Sequence, residues 1–418
     1  MSDERYTEDF QAMINIAILN SLGFFFMGFI VPVIARFNMN ASGLIIGIII
    51  SLLVIGMMTS SSFVGILIDK VKSRTNLIFI GSIGRALAYF VIYIAIAMNS
   101  LIGLGIGYFA LGFMAGFFWI PFDTLVAEKS NKNHRSHAFG KRDAANGKGQ
   151  LIGALIGFII LLWLSLYTDN PFLLYSSILI FGIANFIAGF KFIHDVDETV
   201  KFFYDEPQLK DPSKIKWLKS MIIGLIFLCF LVLISNINTN LAWPFLNIYI
   251  LENITDNFFI FILIFLPIGF IAIFLAPKLG KVVDKLNPIV GISIVILIGA
   301  IVTWFLINTT NILIFAILLI IDVTIGVAGG LIFRNLLSRI SIEHRGKVMG
   351  LSSFFTSLGS AIGPILGGYV WDNLGPKAPF IISIFVELCL IPLFWVVAFL
   401  LIPHVAESFD KKEKDATA

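Results

Sequence analysis

Charge is scarce in this sequence. Asp, Glu, Lys and Arg make up 13% of its 418 residues, about half the share of an ordinary soluble domain. Hydrophobic residues make up 58%, and mean hydropathy is +0.96. A water-soluble fold of this length could not hide so much apolar surface, so the chain is expected to reside in a lipid bilayer. Cysteine is scarcer still. Cys229 and Cys389 both lie in apolar segments, which excludes a disulfide framework and a cysteine-rich metal site. The histidines, at 134, 137, 194, 344 and 404, fall between or beyond the apolar runs and leave none inside the membrane as a proton relay. A G-x-x-x-x-G-K-[ST] loop, a His-Glu-x-x-His helix and a serine elbow are all missing. An enzyme, an ATP-driven pump, a bound cofactor and a nucleic-acid partner are therefore not expected.

What is abundant is the apolar run. Segments of about 20 residues or more, long enough to cross a bilayer as helices, recur near 12–36, 41–68, 75–98, 100–126, 146–167, 171–193, 217–250, 257–278, 288–308, 311–339, 345–371 and 377–403. The seventh carries Asn236, Asn238, Asn240 and Trp243-Pro244 in its outer half and is expected to be interrupted there. Residues 1–10 are polar and acidic, without a basic start or a small-residue cleavage site, so the first apolar run is expected to be retained. The long break at 194–216 is a mixed-charge linker. It divides the chain into a six-helix bundle at 1–193, a second at 217–403, and a tail at 404–418.

The two halves share an internal repeat. His344-Arg345-Gly346-Lys347-Val348-Met349-Gly350 leads into a run with glycines at 359, 363 and 367. A shift of 210 residues lays it on His134 to Gly140, followed by Gly149, Gly153 and Gly157. Glycines four apart form the small face that lets two helix backbones approach in lipid. Both ladders are therefore read as packing surfaces, through which the two halves are expected to meet.

Basic residues set the orientation. Of 29 Lys and Arg, only Arg36 and Lys377 fall outward if both termini are cytoplasmic, and Arg85 lies inside the third span. Reversal would place nearly all of them on the wrong side. A multi-pass protein of the cell membrane with both termini cytoplasmic is expected.

The loops after the second span of each half carry a further shared motif. Gly65-Ile66-Leu67-Ile68-Asp69-Lys70-Val71-Lys72-Ser73-Arg74 has its counterpart in Gly280-Lys281-Val282-Val283-Asp284-Lys285. The first resembles the loop signature of the major facilitator superfamily, G-x-x-x-D-[RK]-x-G-[RK]-[RK], with Lys72 at the usual second glycine; the second matches the Gly, Asp and Lys positions. With the spans, the linker and the repeat, the resemblance extends over essentially the whole chain. It implies an all-α fold of two pseudo-symmetric six-helix bundles. It also implies that Asp69 meets the start of the eleventh span near Arg345, and Asp284 the start of the fifth. A carboxylate beside a helix N-terminus is favoured by about 0.3–1 kcal/mol when exposed, so these contacts would latch the cytoplasmic side shut. Arg74 and Lys70 are expected to pair with Glu128. The plainer alternative is that these charges only anchor loops and set topology.

Charges inside the spans are costly, about 2.5–3.5 kcal/mol at mid-bilayer. Asp322 in the tenth span shares a face with Gly326 and Gly330, and Asp123 in the fourth shares one with Trp119. Arg85 and Glu387 lie near mid-depth in the third and twelfth. The resemblance places the first, fourth, seventh and tenth spans around a central cavity. Asp322 and Asp123 become candidates for contact with solute or proton, and Arg85 and Glu387 for buried pairs within their halves. A structural hydrogen bond is the alternative for both aspartates. Asn20, Phe24, Phe25, Phe118, Trp119, Asn236, Asn240 and Trp243 offer stacking faces and hydrogen bonds to an organic solute, although helical aromatics also serve plain packing. Two acids without a base favour neutral or cationic solutes.

The resemblance thus implies a monomeric secondary transporter that moves a small organic solute by alternating access, with protons as a candidate second passenger. The R-x-x-Q-G pattern in the fourth span, the Gly-Pro of drug-proton antiporters in the fifth and the P-E-S-P-R of sugar porters after the sixth are missing, so neither drugs nor sugars are singled out. A membrane sensor without flux and a lipid flippase or scramblase remain alternatives. Asp69→Asn is expected to loosen the latch and raise labelling of cysteines placed on the cytoplasmic side of the cavity; unchanged labelling would remove the latch.

Overall fold

The computed structural model describes residues 5–68, 73–131, 134–200, 202, 219–265, 288–339 and 345–401. Its contacts divide into two compact units, Met1–Leu209 and Lys210–Ala418. The first unit contains α1 (Phe10–Ser21), α2 (Phe24–Val33), α3 (Gly43–Ile68), α4 (Arg74–Ala97), α5 (Leu101–Glu128), α6 (Arg135–Ser165), the short α7 (Pro171–Leu174) and α8 (Ser177–Asp195). The second contains α9 (Lys219–Ala242), α10 (Leu246–Asn253), α11 (Pro288–Asn308), α12 (Ile312–Arg339), α13 (Arg345–Leu374) and α14 (Ala378–Leu401), with residues 258–265 also helical. Among the described residues, ten helical stretches are long and apolar enough to cross a membrane. α13 has the length but is diluted by glycine and serine. Most of the eighth expected span, 266–278, lies outside the described residues, as does the tail from 402.

Local chemistry sets several boundaries. Ser73 and Ser100 cap α4 and α5 by accepting from the N–H groups of Asn76 and Gly103, and Asn170 caps α7 ahead of Pro171. The first expected span is broken between α1 and α2 at Gly23. Its φ of +89° suits glycine, and a Cβ there would meet the Phe181 ring at 2.7 Å. At Trp243–Phe245 the seventh span tightens into a single 3₁₀ turn and resumes as α10, because Pro244 cannot donate to the helix ladder. α6 begins at Arg135, eleven residues before the expected start at 146; the basic segment read as a loop is helical.

α3 and α4 lie on α5, α8 lies on α4, and α1 and α2 pack on α6; in the second unit α9 meets α13 and α14, and α11 meets α12 and α14. Phe10, Met13, Phe118, Phe122 and Phe192 fill one core, and Leu228, Val232, Phe394 and Val397 fill another. Leu87, Ile102, Ile159, Phe385 and Phe399 are more than half exposed on the spans, as lipid-facing side chains should be.

The glycine ladders correct the expectation that they join the halves. A Cβ on Gly149 would lie 2.4 Å from the carbonyl oxygen of Ile18, one on Gly153 2.6 Å from the N of Gly23, and one on Gly157 2.3 Å from the Phe26 ring. The second ladder meets α9: Gly359 lies against Leu233 and Asn236, Gly363 against Ile237 and Asn240, and Gly367 against Leu241. Each ladder seats the first helix of its own unit. A stripe of small residues specifies that a backbone comes close, not which one. Gly140 and Gly350, which lead the repeat, have open space around them.

The segment after α8, which falls in the mixed-charge linker expected from 194, is bound to the first unit. Lys129 is fully buried, and its Nζ donates to Asp9 Oδ2 at 2.6 Å and to the carbonyls of Asp197 and Val200 at 2.6 and 2.8 Å. The Asp197 N–H donates to Asp9 at 3.0 Å. The hydroxyl and N–H of Thr199 hold the Asp197 carboxyl below the usual carboxylate range.

Gly367→Ala places its Cβ 2.1 Å from the carbonyl oxygen of Leu241, whereas Gly330→Ala meets nothing within 4 Å. The first is expected to cost about 1–3 kcal/mol as overpacking, and the second to be neutral or to gain up to about 1 kcal/mol of helix propensity. Thermal unfolding of the two purified variants beside the parent checks the contrast.

Candidate solute and ion site

In the first unit the helical spacing of α5 puts Trp119 and Asp123 one turn apart, and α6 brings Arg142 onto them. Arg142 grips the carboxylate with two parallel bonds, Nε to Oδ1 at 2.9 Å and Nη2 to Oδ2 at 2.8 Å. Its Nη1 reaches Asp143 at 2.7 Å. The guanidinium lies 4.7 Å from the centre of the Trp119 ring, a cation–π distance, and Phe118 and Phe122 support the indole edge-on. The side chains of Arg142 and Asp123 are 20% and 37% exposed. A half-open ion pair beside an indole can exchange one charged partner for a solute group and offer its ring as a stacking face. Arg142 corrects the expectation that no base accompanies the acids. The hydrophobic pattern starts only after Arg142, although α6 starts earlier, at Arg135.

Asn20 and Phe118 do not line a cavity. Both are fully buried and serve Arg85. The guanidinium, also fully buried, donates through Nη1 to the Asn20 side-chain oxygen and through Nη2 to its backbone oxygen at 2.8 Å. The Asn20 amide in turn donates to Ser82 at 3.2 Å. The rings of Phe24 and Phe118 lie 4.7 and 5.9 Å from the guanidinium. The expected buried pair is thus an arginine with an amide, not with a carboxylate: a cation removed from water takes the nearest oxygen dipoles.

In the second unit Asn236 and Asn240 lie along the α9–α13 seam. Asn236 Nδ2 donates to the Val232 carbonyl at 2.8 Å and reaches Thr356 Oγ1 at 3.5 Å; Asn240 Nδ2 donates to the Asn236 carbonyl at 2.9 Å and to Ser360 at 3.2 Å. These amides fasten the glycine-striped seam while remaining half-buried. Trp243 is 46% exposed. Asp322 is half-buried and accepts from Thr303 on α11 at 3.1 Å, while Gly326 and Gly330 on its helix are exposed. Asn238 is 2% exposed and donates to Ser383 Oγ at 3.0 Å, reaching Glu387 Oε1 at 3.5 Å.

Of the latch residues, Arg74 forms an ion pair with Glu128. Glu198, which sequence reasoning missed, accepts from the N–H groups of Arg74 and Thr75 at 2.8 and 3.3 Å and so caps α4. A Cβ on Gly65 would meet nothing within 4 Å. Asp69, Lys70, Gly280 and Asp284 lie outside the described residues, as does the side chain of Arg345.

A family model described as Major Facilitator Superfamily matches residues 13–342 and 334–418. "Multidrug resistance protein 2" of Bacillus subtilis (strain 168) is 27% identical over 396 residues, spanning 90% of this chain and 93% of that protein. Among solved structures, an inward-facing, unoccupied bacterial homolog to the human lysosomal transporter Spinster superposes with a TM-score of 0.74 at 12% identity, covering 96% of this chain and 98% of its own. A D-xylose-proton symporter superposes with a TM-score of 0.70 at 12% identity, covering 93% and 96%. These two likenesses are of fold.

Asp123 and Arg142 should be energetically coupled. In a double-mutant cycle of Asp123→Asn and Arg142→Gln, read by thermal unfolding, a coupling of about 1 kcal/mol is expected, since both side chains are partly exposed. Strict additivity would show that the pair does not act as a unit.

Proposed function

The chain belongs to the major facilitator superfamily and is a multi-pass membrane transporter, not an enzyme, and we propose that it is a secondary active transporter moving a small organic solute by alternating access. The observation that carries this reading is the division into two compact units, each tied internally by a glycine-striped helix seated on that unit's first helix. Units so braced suit rigid-body rocking, in which access alternates without unpacking either core. A single chain suffices, placed in the cell membrane with both termini cytoplasmic. Asp69 and Asp284 act as latches at helix N-termini on that side, with Arg74 and Glu128 bracing the first loop.

The solute is neutral or cationic, with an apolar body. Support comes from the indole of Trp119 beside the Asp123–Arg142 pair, from two further acids on α12 and α14, and from a relative named for multidrug resistance. The ion pair lets a solute ammonium take Asp123 while Arg142 keeps Asp143. The driving force is an ion gradient, protons included.

Reconstituted in proteoliposomes, the protein is expected to catalyse saturable counterflow of a labelled lipophilic organic cation. Replacing Trp119 by Ala together with Asp123 by Asn should lower flux about tenfold or more. Solute binding without counterflow would establish a sensor, and movement of fluorescent lipid alone would establish a flippase or scramblase; either result overturns the proposal.

A further inference from the structure

The second unit holds a half-buried cluster rich in acceptors and poor in donors. α9 contributes Asn238, α11 Thr303, α12 Asp322, and α14 both Ser383 and Glu387. Asn238 and Ser383 are 2% and 7% exposed. The Asn238 nitrogen bonds Ser383 and reaches Glu387, and Thr303 donates to Asp322. The two carboxylates lie close enough to interact electrostatically. Gly299 leaves room beside Glu387: a Cβ there would lie 3.9 Å from Oε2.

Two features point to a missing positive ligand. The first is Asn238 Oδ1, buried and without a hydrogen-bond partner, on a side chain whose other amide atom contacts the cluster. The second is charge. Two carboxylates inside apolar helices resist being ionised together without a cation. Among the described side chains of this unit the one base is Lys377, and its Nζ donates to Asn308. Two carboxylates and an amide oxygen face only two hydroxyls and one amide nitrogen, so acceptor capacity exceeds donor supply.

We propose that Asp322, Glu387, Asn238, Thr303 and Ser383 form a binding site for a small hard monovalent cation, Na⁺. Every donor atom is oxygen, which suits hard cations and not the softer transition metals. Thr303 and the Asn238 nitrogen already engage one oxygen of each carboxylate, Asp322 Oδ1 and Glu387 Oε1, and the oxygens left fall short of the roughly six to eight that Ca²⁺ takes. The proposal deepens the transporter reading by naming its coupling ion, and rests on that reading for the coupling role alone.

The test is thermal unfolding of the purified protein in NaCl against choline chloride at equal ionic strength and about pH 8, where proton competition is small. Saturable stabilisation by Na⁺ is expected over about 0–100 mM. Asp322→Asn and Glu387→Gln should each abolish it. Ser383→Ala, a small change that should preserve folding, is expected to raise the midpoint concentration about tenfold. Equal stability in both salts, a response to pH alone, or Na⁺ stabilisation that survives the double carboxylate substitution would each overturn the site. Solute counterflow, which needs no ion gradient, separates the two readings. Counterflow without any Na⁺ effect removes the ion site and leaves the transporter; a Na⁺ effect without counterflow does the reverse.

Discussion

Backbone contact along a stripe of glycines is the interaction on which the rest of each unit depends. Lipid tails are as apolar as leucine, so burying apolar side chains gives helices in a bilayer little reason to associate; close van der Waals contact and hydrogen bonds must do it. α6 touches α1 and α2 through Gly149, Gly153 and Gly157, and α13 touches α9 through Gly359, Gly363 and Gly367. With the first helix of each unit seated in this way, its amides come into register with the helices behind it. Asn20 then reaches α4, and Asn238 reaches α14.

The two units treat a buried charge in opposite senses with the same type of residue. In the first, the oxygen of Asn20 accepts from Arg85; in the second, the nitrogen of Asn238 turns toward Ser383 and Glu387. An amide can serve either sign because it carries a donor and an acceptor on one short arm. The first unit thereby shelters a cation without a carboxylate, whereas the second gathers carboxylates without a described cation. Repetition of the helix plan has not imposed repetition of the polar interior.

The spans within the described residues and the glycine repeat were legible because they rest on local signals: apolar run length and glycine spacing. What was not legible depends on which surfaces meet. The glycine ladders announced a close approach but not that it is internal to each unit. Asn20 carries no local sign that Arg85, 65 residues away, takes both of its oxygens. Arg142 was hidden because α6 extends as a polar helix beyond its hydrophobic portion, where run length gives no signal. Lys129 and Glu198 sat among ordinary loop charges, and only the return of the segment after α8 gives them partners.

That return has a consequence for biogenesis. Asp9 is held by Lys129 and by the N–H of Asp197, a residue 188 positions later. The start of the first unit is therefore fastened by nearly the last part of it to be synthesised. During translation Lys129 has no access to the carbonyls of Asp197 and Val200 until α8 has been completed, so a buried ammonium group must wait, hydrated, while α6 and α8 are inserted. The fastening closes as the chain passes residue 200 and the second unit begins to emerge. It marks the first unit as finished.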